Sequence, residues 1–190
     1  MPWTDQNFAW SVEFENVDLP TLDRLAETVF ESTRNSFLSA DVPRVPVPIG
    51  LVGTLGAGKT RWTQGFASAM GADEQEVTSP TFTLVQSHSS SNGWLDHVDA
   101  YRIADEDEWY EAGLEEVLFE PRHDQRPGYV TVEWADRFFE SMPQDTLWVE
   151  IRLASGEDAG GARRTIRICG PAAAQPVANQ LLALRPSLGS

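Results

Sequence analysis

Gly53-Thr54-Leu55-Gly56-Ala57-Gly58-Lys59-Thr60 is the stretch on which the reading of this chain turns. It fits G-x-x-x-x-G-K-[ST], the pattern of a glycine-rich loop whose backbone amides cradle phosphates. Upstream, Pro48-Ile49-Gly50-Leu51-Val52 is short and mostly apolar, as a buried strand would be. Downstream, Arg61 to Met70 places Trp62, Phe66, Ala69 and Met70 at roughly helical spacing. Strand, glycine turn and helix are the setting the motif needs. Lys59 is the one lysine among 14 basic side chains, and it stands where an ammonium must reach the outer phosphates of a nucleotide. N–H groups of such a turn and of the helix start point at the phosphates. Gly56 and Gly58 are expected to leave room for that approach, since a Cβ would hold the ligand away. Lys59 then serves the β and γ phosphates and the Thr60 hydroxyl a Mg²⁺ ion.

The 190 residues suit one domain with a substantial core. Hydrophobic residues make up 41% and there are seven tryptophans, which favours a globular chain over a disordered one. A formal net charge of −15 repels a phosphate backbone, so binding to RNA or DNA is expected only through a basic partner. The lone Cys169 allows no internal disulfide, and a reducing cytoplasm fits. Met1-Pro2-Trp3-Thr4-Asp5 lacks the basic and apolar regions of a signal peptide. No apolar run has the length to span a bilayer, so no membrane association is expected.

Outward from the glycine turn, periodicity assigns the remaining elements. Phe8, Trp10, Val12 and Phe14 alternate with polar residues and predict a strand. Asp18 can cap a helix that carries Pro20 in its first turn and an apolar stripe of Leu22, Leu25, Ala26, Val29 and Phe30, reaching about Phe37. Ala40 to Pro48 reads as a stiff proline-rich connector, and Gly71 to Pro80 as a polar loop. Leu84–Ser87 and Trp94–Val98 predict strands joined by the turn Ser89-Ser90-Ser91-Asn92-Gly93. Asp105 to Phe119 is acidic and mainly helical with an interruption at Gly113. Tyr129–Trp134, Leu147–Leu153 and Thr165–Cys169 predict strands, Ser155–Gly161 a flexible loop, and Val177–Leu184 a short closing helix. This order predicts an α/β, P-loop NTPase-like fold: a mostly parallel sheet flanked by helices in a single domain over 1–190, with its core at about 8–170 and a tail at about 171–190.

A metal-binding nucleotide site also needs carboxylates. Glu133 ends the run Val130-Thr131-Val132, and Asp99 ends Trp94-Leu95-Asp96-His97-Val98. One can hold Mg²⁺ and the other can orient the attacking water. Thr78-Ser79-Pro80-Thr81-Phe82-Thr83 offers hydroxyls able to sense a γ-phosphate through the metal, as switch loops do. His97 has no second His or Cys at ligand spacing and reads as a packed strand residue. Cys169, Trp94 and Trp148 read as core. The Asn-Lys-x-Asp element that selects guanine is missing, which favours ATP over GTP as the expected nucleotide.

Taken in order, the glycine turn, Ser79-Pro80-Thr81-Phe82-Thr83-Leu84-Val85, His97-Val98-Asp99-Ala100-Tyr101-Arg102 and Val132-Glu133-Trp134 resemble the TsaE family over about Leu19 to Ile168. The resemblance implies a bacterial ATPase needed for the threonylcarbamoyladenosine modification of tRNA, partnering TsaB and the transferase TsaD. It implies that Leu55, Gly56, Ala57, Gly58, Lys59 and Thr60 bind the triphosphate, and that Thr60 and Glu133 ligate Mg²⁺. It further implies a switch-like role for Thr81, an acid for hydrolysis in Asp99 and a functionally sensitive Trp134 beside the site. The segment Asp18 to Thr21 matches a region near the adenine. Two positions depart from the family pattern: Ala135-Asp136 stands where Pro-Glu is frequent, and Ala100 where leucine is usual. Arg102 or a residue from a partner is the candidate for an arginine finger.

Two other function classes compete. A small-molecule kinase needs an arginine-rich helical lid, and Glu120 to Arg126, with Arg122 and Arg126, is short for one. A nucleotide-gated binding module would bind ATP without hydrolysing it.

Overall fold

The computed structural model describes residues 8–38, 45–121, 126–154 and 163–185. The predicted loop Ser155–Gly161, most of the connector 40–44 and residues 122–125 of the candidate lid lie outside them.

The described chain forms one seven-stranded sheet. Its strands are β1 (Trp10–Val17), β2 (Val47–Val52), β3 (Val85–Ser90), β4 (Gly93–Asp99), β5 (Gly128–Glu133), β6 (Leu147–Leu153) and β7 (Arg164–Gly170). Their order across the sheet is β1-β7-β6-β2-β5-β4-β3. The four inner strands β6, β2, β5 and β4 run parallel. Hairpin partners close both sides antiparallel, β3 beside β4 at one edge and β7 with β1 beyond β6 at the other. The parallel character predicted from the sequence therefore resides in the centre, which carries the site.

Helices α1 (Leu19–Leu38), α2 (Lys59–Met70) and α5 (Gln175–Leu184) cover one face, and the short α3 (Glu106–Glu111) and α4 (Leu114–Phe119) lie on the other. Because the central strands are buried on both sides, their sequences read as apolar runs rather than alternations. On β6, Leu147, Val149 and Ile151 join the α1/α2 core while Trp148 joins the opposite one. Trp148 stacks on Phe139 at 4.9 Å, and its ring lies so close to β2 that a Cβ on Gly50 would come within 2.7 Å. Phe66 of α2 meets both Phe30 of α1 and Tyr129 of β5 edge-on, at 5.4 and 5.1 Å.

Asp18 caps α1 as predicted, accepting from the Thr21 N–H at 2.9 Å, and Gly113 separates α3 from α4 with φ of 70°. Three features differ from expectation. β1 extends to Val17 across a bulge in which Asn16 takes φ of 58°, where strict alternation predicted an end at Phe14. Ala135–Ser141, which carried no periodic signal, is a 3-10 run whose Ala135 and Phe138 are buried. The described part of the expected tail, residues 171–185, packs on the main core, since Val177, Ala178 and Leu181 of α5 are buried in it. Cys169 is buried as expected, and burial pushes its thiol up to about 12, far from a reactive thiolate.

Candidate functional site

The parallel strands β2, β5 and β4 bring their carboxyl ends to one edge of the sheet, the place where open α/β sheets bind ligands. Register sets the order: Leu51 pairs with Glu133, and Glu133 with Asp99. Paired residues share a face, so Glu133 and Asp99 stand on the same side as Leu51, the side of α2. Two residues back on each strand, His97 and Thr131 pair on that same face. Thr131 lies beneath Thr63 of α2, with their hydroxyls 3.4 Å apart.

From β2 the chain enters the glycine turn and then α2 at Lys59. The first N–H groups of the helix have no acceptor within it and, with the helix dipole, favour an anion. Gly56 has φ of 77° and a Cβ there would meet nothing within 4 Å, so this position is open as expected. Gly58 departs from the expected reason. Its φ is 119°, and a Cβ would meet Arg164 Nε at 3.2 Å and Leu22 Cδ2 at 3.4 Å. Glycine is required at Gly58 by the backbone and by what packs beneath, not by ligand clearance alone.

Lys59 is only 4% exposed. Its ammonium donates to the carbonyls of Gly53 at 2.8 Å and Thr54 at 3.1 Å, and lies 3.6 Å from the centre of the Trp134 ring. Trp134 reaches that position because the residue adopts φ of 64° straight after β5, and Tyr101 packs beside it with ring centres 5.0 Å apart. Burial pulls the Lys59 pKa down, while the charges of Glu133, Asp99 and Asp136 pull it back up.

The two acids occupy different settings. Glu133 Oε1 accepts from Thr60 Oγ1 at 2.7 Å and from the ring N–H of His97 Nε2 at 2.9 Å. Asp99, 2% exposed, receives the hydroxyls of both Ser79 and Thr81 on Oδ2 at 2.6 Å each, and the Tyr101 N–H on Oδ1 at 3.0 Å. Among the described residues no group of three or more His, Cys, Asp or Glu is placed to hold a metal. The donor set nevertheless fits Mg²⁺, which takes one or two protein oxygens and completes its octahedron with phosphate and water. Neighbouring ligands of a Mg²⁺ octahedron are about 2.9 Å apart from their 2.0–2.1 Å bonds, close to the observed Thr60–Glu133 separation.

Of the predicted site residues, Leu55, Gly56, Gly58, Lys59, Thr60, Thr81, Asp99, Glu133 and Trp134 line one cleft of about 370 Å³. The Ala57 side chain is fully buried and faces the core, which leaves only its backbone to meet a phosphate, and its carbonyl accepts from the buried Arg164 Nε at 2.7 Å. Leu55 stands 80% exposed at the rim. The Thr81 hydroxyl, expected to sense phosphate through the metal, is bonded to Asp99. Asp18 and Thr21 do not line the cleft; they form the cap of α1. Arg102 is also outside it, lying against the exposed Phe82 ring at 5.3 Å.

Sequence reasoning missed the contacts of His97, Tyr101 and Arg164, and it named Ser79 only within the hydroxyl-rich segment around Thr81. His97 carried a faint signal, lying two residues before Asp99 on the same strand face. Arg164, far along the chain on β7, carried none. Asp136, whose carboxyl is pushed up chiefly by burial, has its Oδ1 buried without a hydrogen-bond partner among the described residues.

Comparison with known proteins identifies relatives of the chain. The sequence model of the family described as Threonylcarbamoyl adenosine biosynthesis protein TsaE matches residues 19–166. The tRNA threonylcarbamoyladenosine biosynthesis protein TsaE of Bacillus subtilis is 40% identical over 108 residues, which are 57% of this chain and 63% of that protein. The protein of the same name from Treponema pallidum is 35% identical over 107 residues, 56% of this chain and 73% of the relative. The chain thus spans a little under two thirds of the Bacillus relative. A structure described as the crystal structure of Bacillus subtilus YdiB superposes with a TM-score of 0.61, covering 97% of this chain and 100% of the other at 23% identity, a likeness of fold. With four-fifths of its length matched by one family, and with that family's motifs converging on one cleft, the chain belongs to the TsaE family.

Proposed function

We propose that the chain binds and hydrolyses ATP with Mg²⁺ in the cytoplasm, as a subunit that supports threonylcarbamoyladenosine formation in tRNA together with TsaB and TsaD, meeting tRNA only through them. The observation that carries this reading is the convergence of Lys59, Thr60, Glu133 and Asp99, from two strand ends and a helix start, on one cleft.

Each residue has a distinct task. Amides of the turn and of the first turn of α2 receive the phosphate oxygens. The Lys59 ammonium shifts from the Gly53 and Thr54 carbonyls to the outer phosphates. Thr60 Oγ1 and Glu133 hold Mg²⁺, which offsets charge on the β and γ phosphates. Asp99 Oδ2, once released by Ser79 and Thr81, accepts a hydrogen bond from the attacking water and takes its proton. Among the described residues lining the cleft, Lys59 is the sole cation. Arginine fingers contribute several orders of magnitude in related chemistry, so turnover by this chain alone is slow and a partner supplies the missing charge.

The test is phosphate release and tRNA modification in a mixture reconstituted with TsaB, TsaD, tRNA and the remaining substrates. Lys59→Ala should lose ATP binding, while Asp99→Ala and Glu133→Ala should fold and lose turnover. Undiminished phosphate release by all three would refute the assignment. A single-turnover measurement showing ATP bound but never cleaved would leave only a nucleotide-gated binding module.

A further inference from the structure

We propose that His97 is a positioning residue for the cation site: its ring fixes the Glu133 carboxylate in the attitude that lets Glu133 and Thr60 share a divalent ion. The inference rests on the nucleotide-site reading above and extends it to a residue that touches neither phosphate nor metal.

His97 is fully buried, and its Nε2 lies 2.9 Å from Glu133 Oε1. A carboxylate only accepts, so the ring must carry its proton on Nε2. The same Oε1 accepts from Thr60 at 2.7 Å. These two donors are not equivalent. When Thr60 turns a lone pair toward a cation, its hydroxyl hydrogen points away from Oε1, and the hydrogen bond to Glu133 is lost. The His97 bond comes from a fully buried ring that takes no part in the cation's coordination, and it survives. It is then the contact that keeps a side chain with three rotatable bonds in one arrangement.

A competing arrangement lies close by. Of the acidic charges acting on Lys59, that of Glu133 is the strongest. A carboxylate freed from His97 could turn toward that ammonium, and the turn would take the metal ligand away from Thr60. His97 opposes this by holding Oε1 in place.

The rest of the ring argues that this bond, not packing, is why a histidine occupies the position. Nδ1 is buried without a hydrogen-bond partner among the described residues. An unpaired buried polar group costs about 1–3 kcal/mol, so an apolar residue of similar size would suit the sheet interior better. The fold tolerates an orphaned nitrogen at one end of the ring while the other end holds Glu133.

The experiment is calorimetric titration of ATP into the full chain across a series of Mg²⁺ concentrations, including none, with thermal unfolding of each variant recorded alongside. Outer contacts of this kind are worth about 10–100-fold in metal affinity. His97→Leu should raise the Mg²⁺ midpoint by that factor, leave ATP binding without Mg²⁺ unchanged, and melt no lower than the parent chain. His97→Gln, which can place an N–H near the position of Nε2, should restore the midpoint. If His97→Leu does not fold, His97→Asn, whose amide stops short of Oε1, is expected to show the same rise. An unaltered Mg²⁺ midpoint in the variants overturns the proposal. So does a loss of ATP affinity that is equal with and without Mg²⁺, or a failure of glutamine to restore. Absence of any Mg²⁺ dependence in the parent chain is a different result, and it strikes the nucleotide-site reading itself.

Discussion

Replacing Lys59 by methionine should separate what this residue does for the fold from what it does for the nucleotide. The ammonium makes two hydrogen bonds to carbonyls and one contact with the Trp134 ring. Hydrogen bonds from a charged donor are worth about 1.5–3 kcal/mol each, and a desolvated cation–π contact about 2 kcal/mol. Against these stands the cost of burying an ammonium, several kcal/mol, and burial does depress the Lys59 pKa. The terms nearly cancel, and methionine fills much the same volume. Unfolding without ATP should therefore shift by no more than about 1 kcal/mol, or about 2–4 °C in Tm for a chain of this size. With ATP the outcome differs. At a hundred times Kd, binding stabilises the parent chain by about 2.7 kcal/mol, raising Tm by roughly 5–11 °C. Losing two charged contacts to phosphate, at least about 3 kcal/mol together, weakens Kd more than 100-fold. At the same ATP concentration the variant then gains about 0.4 kcal/mol, a shift of at most about 2 °C. Differential scanning fluorimetry with and without Mg·ATP measures both quantities. An ATP-induced shift in Lys59→Met equal to that of the parent would refute the claim that this ammonium binds phosphate.

Further expectations concern the frame of the site. Burial raises the Asp136 carboxyl above its ordinary 3.8, so the folded form binds its proton more tightly than the unfolded one. That stability is fully present below the unfolded value and lost as pH rises through the folded value. Asp136→Asn should consequently melt higher than the parent chain at neutral pH, with the difference vanishing below about pH 4, as a pH series of thermal melts would show. Gly58→Ala forces a side chain into φ of 119° and toward Arg164 Nε; it should cost about 1–3 kcal/mol in a urea melt and weaken ATP binding. Arg164→Met removes the buried donor to the Ala57 carbonyl, with an expected loss of about 1–3 kcal/mol and weaker ATP binding by calorimetry.

What the sequence disclosed and what it hid divide along a physical line. Residues whose chemistry depends on their own strand or turn were readable. Lys59 and Thr60 follow from the glycine turn, and Glu133 and Asp99 from a carboxylate at the end of an apolar run. The helix break at Gly113 and the cap at Asp18 are likewise local. What escaped were contacts between elements remote in sequence. Arg164 meets Ala57 across 107 positions, a relation that no periodicity encodes. His97 lacked a ligand partner at the usual spacing, because its partner is a carboxylate on the adjacent strand, found only once register sets β4 beside β5. The antiparallel edges were obscured because the period-2 pattern of a strand such as β7 is the same whichever way the strand runs. The 3-10 run after Trp134 was hidden by a single residue in a left-handed conformation, where propensity alone would have extended the strand.

The contacts in the cleft also bear on why such a chain should depend on others. Each group assigned a task already has a partner of its own: Lys59 has two carbonyls and a ring, Thr60 has Glu133, and Asp99 has two hydroxyls. On the proposed function, ATP would have to exchange these contacts rather than simply fill a space, so that only the difference between new and old interactions would appear as affinity. The exchange at Asp99 is the most demanding, because both hydroxyls come from the short segment Ser79–Thr81 and leave only if that segment moves. Phe82, in the same segment, is 88% exposed, and Tyr101, which packs on Trp134, is 52% exposed. A surface pressed against these rings would act on the segment that restrains Asp99 and on the aromatic pair that covers Lys59. Coupling between a docked partner and hydrolysis then needs no long pathway through the fold, since the groups that restrain the chemistry are themselves at the rim.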